Sequence, residues 1–371
     1  MNIFVLLIFL LLIGGAVLYL CRSILLALPG SAPHALRFGL CLSLALAAGI
    51  VLGRFLFMGF GSSGFKHLLN TLSSYLMGPL VYFLLFILMA DGVLFVLRRV
   101  PRLRALSWLR LAATLSALSL TILVCICGFL NARSIKTVSY EITVSEEGEE
   151  TPPLRMALVS DLHLGSAIGE KTLGDTVRAI NATAPDVICI AGDIIDSDFY
   201  AIRDPDAAAA TLRELSAPLG VYACLGNHDA GSTFPQMEAF FRACGITVLS
   251  EEYATLDGRL LLLGRADGTP IGQQAARTDT DALLAARPAE LPLVVLDHNP
   301  AHVGEYDGRA DLILSGHTHH GQIFPGTLVT KYGYYPKGEE TPHYIVTSGA
   351  GIWGPPMRVG TNAEIVSLLL R

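Results

Sequence analysis

Hydrophobic positions follow two different rhythms along this chain. Up to residue 130 they form long runs, at about 3–20, 38–58, 76–97 and 109–130. Each is close to the roughly 20 residues that cross a bilayer as a helix. From residue 154 onward the runs are short, and helical patterns separate them. "LRMALVS", "DVICIAGD", "GVYACLGNHD", "LLLLG", "LPLVVLDHNP", "DLILSGHTHH", "HYIVTSG" and "EIVSLLL" read as strands. "KTLGDTVRAINA" sets Leu173, Val177 and Ile180 at helical spacing, and "DPDAAAATLREL" and "TFPQMEAFFRACG" read as helices, the last ending at Gly245. Such alternation predicts a layered α/β domain with a substantially parallel sheet. Between the two rhythms, "YEITV" alternates like an edge strand and "SEEGEETPP" reads as a solvated acidic turn. The expected organisation is a multi-span region at 1–132, a junction with the first edge strand at 133–153, and a catalytic-sized domain at 154–371.

Composition agrees with this division. The 371 residues are 52% hydrophobic, and the excess lies in the first third. The first run has no Lys or Arg before it and no clear cleavage site, so it reads as a retained span. Arg98, Arg99, Arg102, Arg104 and Arg110 crowd the loop between the third and fourth runs, which places that loop in the cytoplasm. Arg22 and Arg37 lie in the loop between the first two runs, and the opposite loop holds Lys66, with Arg54 at its edge. The domain after residue 130 is then extracytoplasmic, on a multi-pass protein of the cell membrane. Asp91 is the one acid within a run, and water or Arg98 is its expected partner. A net charge of −6 gives no reason to expect nucleic acid. Of the cysteines outside the apolar third, Cys189 and Cys224 fall in strand-like runs and read as buried free thiols, leaving Cys244 and no disulfide framework.

The chemistry-bearing residues gather where the strands end. Asp161 and His163 follow the first of the strands after residue 153, Asp193 the second, and Asn227, His228 and Asp229 the third. His298 follows "LPLVVL", and His317 and His319 follow "DLIL". In an open α/β sheet the carboxyl ends of the strands are where ligands bind. Glycines 165, 192, 226 and 316 would permit tight turns there. Five histidines, the carboxylates of Asp161 and Asp193 and one amide at matching strand ends point to metal. Imidazole with carboxylate suits zinc, iron or manganese, and no cysteine is present for a thiolate site. The set exceeds what one ion needs. Two divalent ions about 3.5–4 Å apart, sharing a carboxylate, form a clamp for phosphoryl oxygens. His34, His67, His302 and His343 fit no such pattern, and His320 adjoins it.

In order, "DLHLG", "GD", "GNHD", "DHNP" and "GHTHHGQ" resemble the calcineurin-like metallophosphoesterases over residues 137–371, and "SGAGIWGPPMRVGTNAEI" is similar to a membrane-associated bacterial subgroup. The resemblance implies a four-layer α-β-β-α sandwich; the apolar runs, which lie outside it, predict an all-α region of about four transmembrane helices ahead of that sandwich. It also implies that Asp161, His163 and His319 bind one metal, that Asn227, His298 and His317 bind a second, and that Asp193 bridges them. His228 would face the substrate, to protonate the leaving oxygen or to steady the phosphate, with Asp229 orienting it, and Thr318 would be a spacer. The implied activity is hydrolysis of a phosphodiester or phosphomonoester; the short junction after Leu130 adds the expectation of an envelope or lipid-linked substrate held near the bilayer. The alternatives are a pyrophosphatase of a nucleotide-linked lipid and a non-catalytic, metal-stabilised membrane sensor. "FPGTLVTKYGYYPKG" sets Phe324, Leu328, Val329, Tyr332, Tyr334 and Tyr335 beside Lys331 and Lys337, which would suit either a lipid interface or aromatic packing on the sheet.

Overall fold

A computed structural model describes residues 3–56, 63–104, 106, 108–144, 152–165, 168–338 and 342–371. Most of the expected acidic turn, at 145–151, lies outside the described residues. The chain divides into two compact units, one of Met1–Phe129 with Gly354–Pro356, the other of Leu130–Trp353 with Met357–Arg371.

The first unit is helical: α1 (Ile3–Ala27), α2 (His34–Leu56), α3 (Ser63–Leu97), the short α4 (Pro101–Arg104) and α5 (Leu109–Asn131). Four of these, α1, α2, α3 and α5, are long and apolar enough to cross a membrane. The third helix starts well before the apolar run does. Lys66, expected in a loop, lies inside it, because "SGFKHLLNTLSSY" has enough helix formers to continue the run backwards. Asp91 does not pair with Arg98. It accepts hydrogen bonds from Tyr19 of α1 and Arg110 of α5, so the carboxylate within the apolar run is satisfied between helices.

The second unit holds two six-stranded sheets. The first contains β1 (Ile135–Ile142), β2 (Leu154–Val159), β3 (Val187–Ala191), β4 (Val221–Cys224), β5 (Thr247–Val248) and β12 (Ala363–Leu370), in the order β1-β12-β2-β3-β4-β5. The other contains β6 (Glu252–Leu256), β7 (Leu260–Gly264), β8 (Leu293–Leu296), β9 (Leu312–Ser315), β10 (Gly333–Tyr335) and β11 (His343–Val346), in the order β10-β11-β9-β8-β7-β6. Strands β2 to β5 run parallel, as do β7, β8, β9 and β11, whereas β12, β6 and β10 each contribute an antiparallel pairing. The sheets are therefore mixed around parallel centres. β1 is an edge strand, as its alternation predicts.

Side-chain alternation divides each central strand between two cores. On β2, Ala157 and Val159 face one core, with Leu173, Val177 and Ile180 of α6 (Glu170–Asn181), Leu212 of α7 (Pro205–Leu212) and Phe241 of α8 (Phe234–Ala243). Met156 and Leu158 face the layer between the sheets, against Leu262, Val294 and Leu314. On the far side of the second sheet, Leu261 and Leu263 pack on Leu283 of α9 (Thr280–Ala285) and on Val303 and Tyr306. The result is a four-layer α-β-β-α sandwich. Asp204 caps α7 by accepting from Ala207 N at 2.9 Å, with Pro205 as the first helical residue.

Candidate metal centre

Each expected site residue follows the end of a parallel strand, and the backbone there is unusual. Asp161, His163, Asp193, His317 and His319 all have positive φ, between 45° and 68°. Left-handed backbone costs non-glycine residues energy and is retained where surrounding structure enforces it. Two glycines expected as turn formers serve closeness instead. A Cβ at Gly226 would stand 2.1 Å from Asp193 Oδ1, and one at Gly316 would stand 2.4 Å from Asp161 Oδ2. Only a bare backbone lets the strand ends approach so near.

These turns bring the side chains into two adjoining groups. Asp161, His163 and His319 form one, and Asp193, His298 and His317 the other; within each, donor atoms lie within 4.8 Å of one another. Asn227 joins the second group through its Oδ1, 2.9 Å from His317 Nδ1. Asp193 lies between them, with Oδ2 3.6 Å from His163 Nε2 and 3.2 Å from His298 Nε2. All but His317 are buried.

The hydrogen bonding tests whether these residues fit metal. His298 Nδ1 donates to the Ala191 carbonyl at 2.7 Å, which turns Nε2 toward Asp193 Oδ2, 3.2 Å away. That buried Nε2 has no hydrogen-bond partner. A backbone carbonyl on the other nitrogen commonly orients a metal-binding imidazole in this way. His163 Nε2 and His319 Nε2 face each other at 3.0 Å. Two nitrogens each about 2.0–2.1 Å from one ion would be separated by about 3 Å. Burial alone would raise the carboxyls of Asp161 and Asp193, yet both are held below the usual range, by His319 and His298 for the first and mainly by His298 for the second. Buried carboxylates set among imidazole nitrogens are the mixed donor set that divalent transition metals take. Burial pushes His319 down to about 3, leaving a neutral ring able to donate a lone pair. The residues fit.

His228 belongs to a different arrangement from the one expected. Asp229 does not orient it. The Asp229 carboxylate turns inward, accepting from the backbone N–H of Ile195, Gly226 and Ile194 at 2.9, 3.0 and 3.2 Å. Burial, and then the nearby charge of Asp193, push its carboxyl up to about 6. His228 Nδ1 instead meets Ser197 Oγ at 2.7 Å and Asp196 Oδ1 at 3.2 Å. Asp196 Oδ1 also lies 3.7 Å from His163 Nδ1, beyond hydrogen-bonding distance. An acid three residues after Asp193, in "GDIIDSD", was the available sequence signal.

Two further residues were not singled out. The Trp353 ring stands 6.1 Å from that of His228, and its backbone is clamped by Gln322, which donates to Trp353 O at 2.7 Å and accepts from Trp353 N at 2.8 Å. Buried Arg358 donates to the carbonyls of Ser348, Gly349, Gly351 and Asn362, at 2.6 to 2.9 Å. It fixes the loop whose Gly351 N–H donates to Asp161 O at 2.9 Å. Thr318 is more than a spacer, since its hydroxyl donates to Lys331 O at 2.8 Å. His320 leaves the cluster and stacks on Tyr332 at 4.1 Å. His302 bonds Glu305, and His343 bonds Tyr334.

The calcineurin-like phosphoesterase family profile matches residues 154–321. A "Transmembrane protein with metallophosphoesterase domain" of Danio rerio is 32% identical over 279 residues, covering 70% of this chain and 62% of that protein. An uncharacterized metallophosphoesterase of Campylobacter jejuni is 30% identical over 274 residues, covering 71% of each. The crystal structure of TT1561 of Thermus thermophilus matches at a TM-score of 0.36 and 16% identity, covering 54% of this chain and 89% of that one. The chain spans less than two thirds of the length of several curated relatives, as with the zebrafish protein. With the paired His/Asp groups at the strand ends, the match to the Campylobacter protein across most of both chains places this one among the calcineurin-like metallophosphoesterases, hydrolases of phosphoric esters.

Proposed function

We propose that this chain is a multi-pass membrane phosphoesterase that uses two divalent metal ions, of manganese, iron or zinc, to hydrolyse a phosphodiester or phosphomonoester of the cell envelope. Asp161, His163 and His319 would hold one ion, and Asn227, His298 and His317 the other, with Asp193 shared. The observation that carries this reading is the position of Asp193 Oδ2, 3.6 Å from His163 Nε2 and 3.2 Å from His298 Nε2. Bound ions supply Lewis acidity toward the phosphoryl oxygens and lower the pKa of water.

The chain's own residues would do the rest. His228 Nδ1–H would donate to the Asp196 carboxylate at 3.2 Å, leaving Nε2 to carry a proton to the leaving oxygen. Ser197 fixes the ring's tilt. Gln322 and Trp353 close the side beside His228 and restrict water there. The arginines between α3 and α5 support a cytoplasmic loop, and hence an extracytoplasmic catalytic unit. The test is turnover by the purified full chain of phosphomonoester, phosphodiester and pyrophosphate substrates with manganese, iron or zinc. Hydrolysis of a simple ester supports the reading; hydrolysis of pyrophosphates alone, or of nothing, contradicts it.

A further inference from the structure

Among the described residues of the second unit, and beyond Leu130 near the end of α5, the large apolar side chains left exposed are Tyr200, Ile271, Phe324, Leu328, Val329 and Trp353. Single exposed apolar residues are ordinary on any surface. These six are not scattered. Tyr200 lies in the loop after β3, Ile271 after β7, Phe324, Leu328 and Val329 after β9, and Trp353 after β11. All are loops at the carboxyl ends of parallel strands, the rim that carries the metal-type cluster. Ile271 N donates to Asn227 O at 2.9 Å, and Trp353 stands beside His228. An apolar lip around a site for a doubly charged phosphate needs a reason.

The most prominent part of this lip is Leu328 and Val329, 72% and 86% exposed. They sit at and just after a single 3-10 turn, Gly326–Leu328. The turn is anchored on both sides. Phe324 N donates to Val359 O at 2.9 Å before it, and Lys331 O accepts from Thr318 after it. A fixed turn carrying two adjacent aliphatic side chains outward is a wedge. Lys331 and Lys337 follow it, both exposed. The tyrosines of the same stretch face elsewhere: Tyr334 stacks on His343, Tyr335 on Tyr344, and Tyr332 donates to Glu364 at 2.7 Å. The stretch therefore splits between the two expectations, with its tyrosines packed within the unit and its aliphatics, with Phe324, in the open.

We infer that the Leu328–Val329 turn docks on a lipid bilayer, and that the ester taken by the cluster is a lipid phosphate whose apolar part stays in the membrane. Aliphatic side chains at the tip with ammonium groups behind them match acyl chains below anionic head groups. The chain also keeps such a surface within reach. Helix α5 ends at Asn131 and β1 begins at Ile135, so three residues join a membrane-length helix to the sheet. Three residues extend at most about 11 Å. The substrate half of the inference rests on the phosphoesterase reading above; the docking half does not.

Two arms test the halves separately, using the full chain reconstituted in vesicles of phosphatidylcholine and phosphatidylglycerol. In the first, Val329→Trp is made and its added fluorescence is measured with brominated acyl chains in the bilayer. Strong quenching of that added emission is expected. Unquenched emission would overturn the docking and would favour a protein partner for the lip. In the second, the Leu328→Ser, Val329→Ser double variant is assayed on phosphatidic acid in the bilayer and on p-nitrophenyl phosphate in solution. The ratio of lipid to soluble turnover should fall about tenfold. An unchanged ratio, or parent turnover of the soluble ester alone, would overturn the substrate half. Turnover by the parent of neither ester, nor of the diester bis-p-nitrophenyl phosphate, would instead break the phosphoesterase reading, while the quenching arm would still decide the docking.

Discussion

Two buried polar clusters among the described residues of the second unit differ in one respect. Behind β7 and β8, Arg265 donates to Glu251, Thr280, Tyr306 and the Thr278 carbonyl, while Arg277 donates to Asp297, Glu305, Tyr306 and the Ala266 carbonyl. None of the buried nitrogens and oxygens of these side chains lacks a partner. At the strand ends, by contrast, His298 Nε2, His319 Nδ1 and His163 Nδ1 are buried without a hydrogen bond, and two imidazole nitrogens face each other. Both clusters cost desolvation. The first recovers it internally, so it is structure. The second does not, so it is built for something bound. The two are linked, because Asp297 of the satisfied network immediately precedes His298 of the unsatisfied one. The network holds the strand end from which a candidate ligand projects.

That contrast can be broken by substitution, and the largest effect should fall on chemistry. His228→Ala should keep bound metal and lower turnover by about 10²–10⁴-fold, the range for a lost general acid. Full turnover on an alkyl ester, whose leaving oxygen needs its proton, would remove His228 from that role. The next largest effect should fall on stability in the satisfied cluster. Arg265→Met strips the guanidinium from Glu251, Thr280 and Tyr306, leaving the Glu251 carboxylate only the N–H groups of Ala266 and Thr278, and should destabilise the fold by about 3–5 kcal/mol. If thermal unfolding hardly moved, the network would not be the self-contained structure described.

Asp196→Asn should cost less, about tenfold in turnover, and should shift the pH–rate profile, because the amide cannot stabilise a charged His228 ring. Asp229→Asn should change stability more than the pH profile, since Asp229 serves backbone donors. The opposite outcome would restore Asp229 as the orienting acid. The smallest effect concerns pH and stability. Burial would raise Glu305, but the Thr280 hydroxyl and the Arg277 guanidinium pull it down to about 2, from an ordinary 4.5. A depressed folded value means that its stabilising share is present above about pH 4.5 and is lost as pH falls toward 2. Glu305→Gln should therefore flatten the thermal midpoint over that window and leave it unchanged near neutrality. A slope as steep as the parent's would show that Glu305 carries none of it.

Much of this was legible in the sequence, for physical reasons. The strands of the buried sheet centres announce themselves as continuous apolar runs, because they are covered on both faces. The site residues were legible because each follows such a run. What escaped was short or non-local. β5 has two residues, and β10 is the glycine-containing "GYY". β6, "EYATL", is largely uncovered and carries no strong apolar signal. Asp196 and Asp229 are equally acidic in the sequence, and neighbouring position favoured Asp229 for His228. Only the fold shows that Asp229 is occupied by backbone N–H groups and that Asp196 reaches the ring. Trp353 could not be read from spacing at all, since Gln322 brings it to His228 from 31 residues away.

The central claim is that the unsatisfied cluster is a site for two cations sharing Asp193. Metal content of the purified full chain, saturated and then freed of excess, tests it most directly, with Asp193→Asn measured beside the parent. The account predicts two ions per chain for the parent and weakened retention of both in Asp193→Asn, whereas His163→Ala should weaken mainly one. A parent that saturates at one ion per chain, or an Asp193→Asn variant that keeps two as tightly as the parent, would contradict it.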